Sequence, residues 1–262
     1  MEFTTLLFDV RDAVGYITLN RPEAANSINI DMARELMYAV LTCDEDSGVR
    51  AVLIAGSGST FCAGGDLKSF AIQGERLHYY LKELTTYLHA ALSRLARLDL
   101  PVVAAVQGSA AGAGMSLALA CDLVIAGESA RFTTAYTARG LAPDGSLTFF
   151  LPRAVGLKRA LELTLTGRVL SAYEGLYYGF VSRVVPDTEL QAEAKLTAAR
   201  LANGPTRALA AVKRLLYAGS TETLETQMEQ ESEAIVETAR TADGREGIGA
   251  FLEKRRPNFR GC

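Results

Sequence analysis

Two glycine-rich loops carry residue types that could bind a negatively charged oxygen. The segment 61–68 has the sequence FCAGGDLK and follows an apolar run at 49–55, and the segment 108–116, GSAAGAGMS, follows another at 101–106. Small residues let a ligand approach the backbone, and the start of a helix leaves N–H groups unpaired. Each loop is expected to lead into a helix, so a pair of amides could stabilise the charge that grows on a carbonyl oxygen.

The second loop is compatible with three other interpretations. Gly112 and Gly114 after a strand match half of a dinucleotide-binding fingerprint, but Leu117 occupies the position of its third glycine. Ser116 lies in a segment similar to a nucleophile elbow, yet both histidines precede it, whereas hydrolases with this elbow place histidine after the serine. The glycines could also serve only the close packing of a strand on a helix.

One carboxylate, Asp144, lies in the segment LAPDGS at 141–146. Taken alone, Pro-Asp-Gly is typical of a turn, because the aspartate side chain bonds the local backbone. A metal site is not predicted, since the four cysteines form no CxxC pair and the only histidines are His78 and His89. The wide spacing of the cysteines favours a reducing compartment.

The elements that must position these residues alternate between strands and helices. Val14–Leu19 alternates as a half-buried strand does, whereas the runs at 101–106 and 123–126 are almost continuously apolar, as in strands buried on both faces. Helical spacing of apolar residues predicts helices at 30–43 and 77–98. The first two-thirds of the chain is therefore predicted to form an α/β core.

After Pro152 the sequence changes to a series of predicted helices separated by glycine or proline. The segment 221–239 is rich in glutamate but keeps an apolar stripe along one side, which is more typical of a packing or subunit face than of a ligand site. The stripe consists of Leu224, Met228 and Ile235. A helical C-terminal region is therefore predicted.

Composition and charge argue against several classes of protein. Of 262 residues 49% are hydrophobic, 22% are charged, and the formal net charge is −3, which supports neither disorder nor nucleic-acid binding. The N-terminus has acidic residues and no basic segment before an apolar run, so no signal peptide is predicted. No apolar stretch approaches the roughly 20 residues of a membrane span. A cytoplasmic protein without a nucleic-acid or membrane partner is expected.

Several motifs together resemble the crotonase superfamily, also called the enoyl-CoA hydratase/isomerase family. They are ITLNRPEAANSIN, FCAGGDLK, GSAAGAGMSLALACDLVIAGESARF, GLAPDGSLTFFLPRAVG and EGIGAFLEKRRPNF, and they follow one another along almost the whole chain. The resemblance implies an α/β fold, a crotonase-like spiral of repeated β-β-α units at 1–195. It also implies a helical region at 196–262 that closes over coenzyme A and forms a homotrimer or a dimer of trimers.

The resemblance further implies an acyl-CoA substrate, in which coenzyme A is part of the substrate and no separate cofactor is needed. Carried over residue by residue, the two amides of the oxyanion hole belong to Ala63 and Ala113. Lys254 is expected near the nucleotide end, where a second subunit could contribute. The full set of residues expected to bind coenzyme A is Ala24, Asn26, Ala63, Gly64, Gly65, Asp66 and Lys254.

Catalytic carboxylates distinguish the reactions of this family. Hydratases carry two glutamates whose matching positions here are Ser116 and Tyr136, and neither side chain is a base near neutral pH. Efficient addition of water is therefore not expected. Members that move a double bond in an enoyl-CoA place an acting aspartate at the position of Asp144. The predicted function is enoyl-CoA isomerisation, in which this carboxylate carries a proton between C2 and C4 while two amides hold the dienolate.

Two alternatives remain open. The 4-chlorobenzoyl-CoA dehalogenases resemble this chain in having the same aspartate, which acts there as a nucleophile, and a histidine that matches His89 and activates water. They also have a tryptophan that donates a hydrogen bond to the aspartate; Tyr136 occupies that position, and the chain has no tryptophan. A chain that lost both glutamates could instead bind acyl-CoA without turning it over. The acyl pocket is expected to involve 69–83 and 135–139.

Overall fold

The computed structural model describes residues 3–262. Strands and helices are interspersed as far as β9, and only helices follow. The strands are Leu6–Arg11 (β1), Val14–Leu19 (β2), Ala51–Gly56 (β3), Val102–Val106 (β4), Ser109–Ala111 (β5), Leu123–Gly127 (β6), Arg131–Thr133 (β7), Leu170–Ser171 (β8) and Arg183–Val185 (β9). The helices are Ile30–Glu45 (α1), Leu67–Ala71 (α2), Leu77–Arg97 (α3), Ala113–Leu119 (α4), Leu147–Val155 (α5), Leu157–Thr166 (α6), Ala172–Tyr178 (α7), Leu190–Ala202 (α8), Thr206–Ala218 (α9), Leu224–Arg240 (α10) and Ala242–Leu252 (α11).

Six strands form the main sheet in the order β1-β2-β3-β4-β6-β9. Strand β1 is antiparallel to β2, and all other neighbours in this sheet are parallel. A second sheet contains β5, β7 and β8. Parallel strands end at the same edge of a sheet, so the loops that follow β3 and β4 lie side by side. The predicted α/β class, with a helical C-terminal region, is confirmed.

The central strands are buried on both faces, as the apolar runs predicted. In β3, Val52 and Ile54 pack with the large core that includes α1 and α3, whereas Leu53 and Ala55 pack on the opposite side against α8. Helix α8 approaches the sheet with small residues on one face, Ala194, Ala198 and Ala202. The predicted boundary between the core and the C-terminal region, at residue 195, falls inside this helix. Residues on both sides of that boundary pack on the sheet.

Some elements differ from the sequence-based expectation. The short strands β5, β7 and β8 were not predicted, because two or three residues carry too little periodicity. The six-residue strand β1 was not predicted either. Helix α5 continues through Pro152, where a change of pattern was expected. Proline removes the hydrogen bond to the carbonyl four residues earlier, and a short helix packed on the core tolerates that loss.

Helix α10 carries the predicted apolar stripe on its surface. Its side chains are largely exposed, at 70% for Leu224, 59% for Met228 and 68% for Ile235. An exposed stripe of this kind is typical of an interaction face. Its role in subunit contact stays a prediction. Among the helices of residues 3–262, none has the length and apolarity that crossing a membrane requires.

Candidate active site

The two glycine-rich loops lie against each other in the manner of short parallel strands. The Cys62 N–H donates to the Ser109 carbonyl over 3.0 Å, and the Ala111 N–H donates to the Cys62 carbonyl over 3.0 Å. Gly114 packs directly on this pair, where a Cβ atom would lie 2.2 Å from the Cys62 oxygen. Close packing therefore accounts for this glycine, and the dinucleotide-binding interpretation has no structural support.

The prediction that Ala63 supplies an oxyanion amide is wrong. Its N–H donates to the Ala25 carbonyl over 3.0 Å and is occupied within the fold. Two residues further on, the Gly65 N–H makes no hydrogen bond within residues 3–262. Gly65 therefore offers a free amide in the first loop, whereas Ala63 does not. The sequence could not show this, because the acceptor that occupies Ala63 comes from a separate loop 38 residues earlier.

The amide of Ala113 is available in the second loop. Ala113 is the first residue of α4, where the N–H has no partner within the helix, and it makes no other hydrogen bond within the described residues. The first loop approaches it closely, since a Cβ built on Gly64 would lie 3.5 Å from the Ala113 nitrogen. Two free amides, those of Gly65 and Ala113, thus belong to neighbouring turns of the two loops.

Three positions singled out in the sequence meet beside these loops. The Tyr136 hydroxyl donates to Asp144 Oδ1 over 2.6 Å. The Ser116 hydroxyl donates to the Asp144 carbonyl over 2.9 Å and lies 3.2 Å from the Tyr136 oxygen. Ser116 is fully buried on α4, one turn after Ala113. The side chains of Ser116 and Tyr136, the two positions matched to the hydratase glutamates in the sequence analysis, therefore both donate hydrogen bonds to Asp144.

The phenol of Tyr136 remains a neutral donor. Burial raises its pKa far above the ordinary value for tyrosine, and the negative charge of Asp144 raises it further. The other carboxylate oxygen, Asp144 Oδ2, accepts no hydrogen bond within residues 3–262. The Asp144 side chain is 27% exposed, so this oxygen faces a space that a ligand can enter.

His89 reaches the same site from α3. Its Nε2 atom lies 3.9 Å from Asp144 Oδ2 and accepts a hydrogen bond of 3.2 Å from the Gly145 N–H. An accepting Nε2 places the proton of a neutral imidazole on Nδ1. The Ser116 hydroxyl bonds Asp144, Tyr136 and the Gly112 carbonyl and has no histidine partner in the described chain. The nucleophile-elbow interpretation of Ser116 is therefore wrong.

The side chains of two residues predicted to bind coenzyme A make hydrogen bonds within the protein instead. Asn26 accepts from the Arg21 N–H over 2.9 Å and donates to the Ser57 and Thr60 carbonyls over 2.8 and 2.7 Å. This amide side chain is buried and its hydrogen-bonding groups are occupied, so it stabilises the loop that contains Asn26. Only the backbone of Asn26 is then left to contact a ligand.

Asp66 likewise has a structural role. Its carboxylate accepts from the Lys68 and Ser69 amides at the start of α2 and pairs with Arg21 Nη2 at 2.9 Å. Burial opposes ionisation, but Arg21 and the amides outweigh it and lower the pKa of Asp66 below the ordinary range. The remaining predicted positions stay predictions; Ala24 is half-buried in its loop, and Lys254 is exposed just after α11.

A cavity of about 730 Å³ is lined in part by His89, whose Nε2 lies 3.9 Å from Asp144 Oδ2. Its near end is formed by His89 and Ser146, and it continues between α3, α5 and α9. None of its lining residues comes from 69–83 or 135–139, where the acyl pocket was expected. A sequence signal was present, because the lining residues of α3 recur at helical spacing: His89, Leu92, Ser93, Ala96 and Arg97.

Such a site, with two free amides at adjoining turns and a carboxylate beside them, defines an enzyme class that stabilises a negatively charged carbonyl oxygen and moves protons next to it. A sequence model of the family described as enoyl-CoA hydratase/isomerase matches residues 9–262. The chain belongs to the enoyl-CoA hydratase/isomerase family and is an acyl-CoA enzyme.

Relatives within the family carry different activities in their names. The chain is 41% identical over 261 residues to a "Probable enoyl-CoA hydratase" of Rhodobacter capsulatus, with 100% of both chains covered. It is 40% identical over 262 residues to the 1,2-epoxyphenylacetyl-CoA isomerase of Escherichia coli, covering 100% of this chain and 99% of that protein. The crystal structure of an enoyl-CoA hydratase from Polaromonas sp. JS666 superposes with a TM-score of 0.93 at 33% identity, covering 97% and 99% of the two chains.

Proposed function

We propose that the chain is an enoyl-CoA isomerase that moves a double bond through a thioester dienolate. The observation that carries this proposal is the unequal environment of the two Asp144 oxygens. Oδ1 is anchored by the Tyr136 hydroxyl at 2.6 Å, whereas Oδ2 accepts no hydrogen bond within residues 3–262. A carboxylate with one anchored and one free oxygen can accept and return a proton without changing its position.

The proposed reaction needs no group beyond those described. The thioester oxygen of a 3-enoyl-CoA accepts hydrogen bonds from the Gly65 and Ala113 amides. Asp144 Oδ2 removes a proton from C2, and the electron pair of that C–H bond delocalises over the dienolate held by the two amides. The same carboxyl group then delivers its proton to C4, which gives the conjugated 2-enoyl-CoA. Loss of one such amide donor has cost about 10²–10³ in rate in other enzymes.

Packing around Ser116 supports isomerisation over hydration. A Cβ atom on Gly145 would lie 3.0 Å from the Ser116 Cβ, so the Asp144–Gly145 backbone fills the space in front of this side chain. A longer acidic side chain on α4 would have no room there. Hydration by a pair of carboxylates therefore conflicts with the position of the loop that carries Asp144.

The direct test is Asp144→Asn with a 3-enoyl-CoA, following formation of the conjugated thioester. Asparagine is isosteric and keeps an acceptor for Tyr136, but it cannot carry the proton. We expect the rate to fall by about 10²–10⁴, the usual contribution of a general base. Asp31→Asn, at an exposed position of α1, is the matched control and should keep full activity. Isomerisation that survives Asp144→Asn would remove this carboxylate from the mechanism.

The dehalogenase alternative is favoured by one observation, the 3.9 Å separation of His89 Nε2 and Asp144 Oδ2. In that mechanism the histidine must activate water, yet here its Nε2 is engaged by the Gly145 amide. The proposed isomerase should release no chloride from 4-chlorobenzoyl-CoA. Chloride release that disappears in His89→Gln would support the alternative, and tight binding of acyl-CoA without any turnover would support a non-catalytic binding protein.

We also propose that the exposed stripe of α10, formed by Leu224, Met228 and Ile235, packs against a second copy of the chain in a trimer. Light scattering after size-exclusion chromatography should give the mass of a trimer or of a dimer of trimers. Met228→Glu should shift that mass towards the single chain, since a charge placed in an apolar contact is costly. A single-chain mass for the unmodified protein would contradict the proposal.

A further inference from the structure

The cavity beside Asp144 extends well beyond the reacting carbons of the proposed reaction. His89 lies at its near end, and Arg97 lies at its far end on the same helix, α3. The two residues are eight positions apart, which corresponds to about 12 Å along a helix axis. The cavity is therefore long enough for a medium-length acyl group.

The walls between these ends are mainly apolar and partly aromatic. Leu92 of α3 forms one side. The opposite side contains an aromatic chain in which the Phe149 and Phe150 rings lie 5.1 Å apart and the Phe150 and Tyr217 rings 6.1 Å apart, both edge to face. Ser93 also lines the cavity, and its hydroxyl oxygen accepts a hydrogen bond from Arg97. Such walls suit a hydrocarbon chain.

The far end of the cavity is basic, and no aspartate or glutamate lines the cavity. Two of its cations are already paired: Lys213 Nζ lies 2.8 Å from Asp122 Oδ2, and Arg214 Nη1 lies 2.6 Å from Asp99 Oδ1. The third, Arg97, has no carboxylate partner among residues 3–262. Arg97 is therefore the cation available to a ligand that fills the cavity.

A neighbouring arginine shows what distinguishes Arg97. Arg94 lies three residues earlier in the last turn of α3, pairs with Asp44 at 2.7 Å and does not line the cavity. The helix dipole favours a cation at both positions. The dipole alone thus does not explain why Arg94 is paired with a carboxylate, whereas Arg97, which donates to the Ser93 hydroxyl, has no carboxylate partner and lies at the end of a largely apolar cavity.

We propose that the cavity holds the acyl group and that Arg97 binds a carboxylate at its far end. The preferred substrates would then be coenzyme A monothioesters of unsaturated, medium-chain dicarboxylic acids. The placement of the reacting carbons beside Asp144 rests on the proposed isomerase function; the recognition of the distal carboxylate rests on the cavity and its basic end. An apolar acyl tail would leave Arg97 without a carboxylate partner, with only its hydrogen bond to Ser93.

Binding of saturated, unreactive thioesters tests the proposal without turnover. Calorimetry would compare decanedioyl-CoA, esterified at one end, with decanoyl-CoA. A charge-assisted hydrogen bond predicts that the diacid thioester binds about tenfold tighter. Arg97→Ala should abolish this preference and Arg97→Glu should reverse it, whereas Arg94→Ala should leave it unchanged. Equal or weaker binding of the diacid thioester would overturn the proposal, as would equal effects of Arg97→Ala and Arg94→Ala.

Turnover separates this proposal from the isomerase assignment. The ratio of kcat/KM for 3-decenedioyl-CoA and 3-decenoyl-CoA should favour the diacid and should depend on Arg97. If neither thioester is isomerised but the diacid still binds through Arg97, the acyl site stands and the isomerase assignment falls. If both are isomerised equally well by the unmodified protein and by Arg97→Ala, the isomerase stands and the acyl-site proposal falls.

Discussion

The hydroxyl of Tyr136 donates a hydrogen bond of 2.6 Å to Oδ1 of Asp144. Ser116 adds a second connection, since its hydroxyl lies 3.2 Å from the Tyr136 oxygen and donates to the Asp144 carbonyl. Ser116 and Tyr136, the positions that sequence analysis matched to the glutamates of hydratases, thus both bond a carboxylate residue that comes from a different loop.

We expect Tyr136→Phe and Ser116→Ala to lower kcat while KM changes little, because both hydroxyls orient Asp144. Loss of a hydrogen bond to a charged group should cost Tyr136→Phe about tenfold or more in kcat, with a smaller loss for Ser116→Ala. Thr134→Ala is the matched control, since it removes a buried hydroxyl that bonds only the Leu163 carbonyl. Steady-state kinetics would contradict the positioning role if all three variants lost kcat equally.

The assignment of the oxyanion amides can be tested at Ala113. As the first residue of α4 it can be replaced by proline, which removes the N–H at a position where helices accept proline. Ala113→Pro should lower kcat by about 10²–10³ and leave the melting temperature nearly unchanged. Ala113→Ser keeps the amide and should retain most of the activity. Comparable loss of activity in both variants would show that the site rejects any change of shape at this position.

The first oxyanion amide shows where inference from sequence reaches its limit. The motif FCAGGDLK located the right loop, because small residues after a buried strand let a ligand approach the backbone. The choice between Ala63 and Gly65 depends on the Ala25 carbonyl, which takes the Ala63 N–H from another loop. The spacing of residues in the sequence does not reveal this contact between two loops. Because of it, the oxyanion amide is that of Gly65, two residues after the predicted Ala63.

The buried strands and long helices were predictable because their pattern of apolar residues is visible within one segment of the sequence. Strands β4 and β6 begin and end within one residue of the apolar runs that predicted them, since a run buried on both faces is visible in the sequence. Contacts between distant segments were not predictable in this way. The hydrogen bond from Tyr136 to Asp144, for example, was expected only through the resemblance to a family, and the hydrogen bonds from Ser116 to Asp144 and from Gly145 to His89 were not expected at all.

Stability should depend on Glu35 in a pH-dependent manner. This carboxylate is 4% exposed and accepts hydrogen bonds from the N–H and hydroxyl groups of Thr4 and Thr5. Burial opposes ionisation, but these hydrogen bonds outweigh it and lower the pKa of Glu35. A lowered folded-state pKa means that the stabilisation is present above the unfolded pKa, about 4.3, and is lost as pH falls through the folded value.

Glu35→Gln should therefore lower the free energy of unfolding by about 1–3 kcal/mol at pH 7, because its amide group faces donors that it cannot accept from. The difference from the unmodified protein should shrink as the pH falls below about 4. Urea denaturation at both pH values measures it. The control is Glu45→Gln, at the exposed C-terminal end of α1. A constant difference across this pH range would contradict the assigned role of ionised Glu35.

The reactivity of the cysteine thiols should show whether the two glycine-rich loops stay packed against each other. Three cysteines are buried, and burial raises the pKa of Cys43 and of Cys62 to about 12 and that of Cys121 above the ordinary range. Cys262 is exposed. A disulfide reagent at pH 8 should therefore titrate one thiol rapidly in the native protein and all four after denaturation, because the thiolate is the reacting species.

Cys62 makes this measurement informative about the site, because its backbone holds the first loop against the second. In a Cys262→Ser background, slow labelling of Cys62 requires the loops to separate. A saturated acyl-CoA that binds between the Gly65 and Ala113 amides should slow that labelling, since a ligand stabilises the closed form in proportion to its occupancy. Cys43, which is buried between α1 and the sheet, is the internal control. Equal protection of Cys43 and Cys62 would indicate global stabilisation and would contradict a ligand site between the two loops.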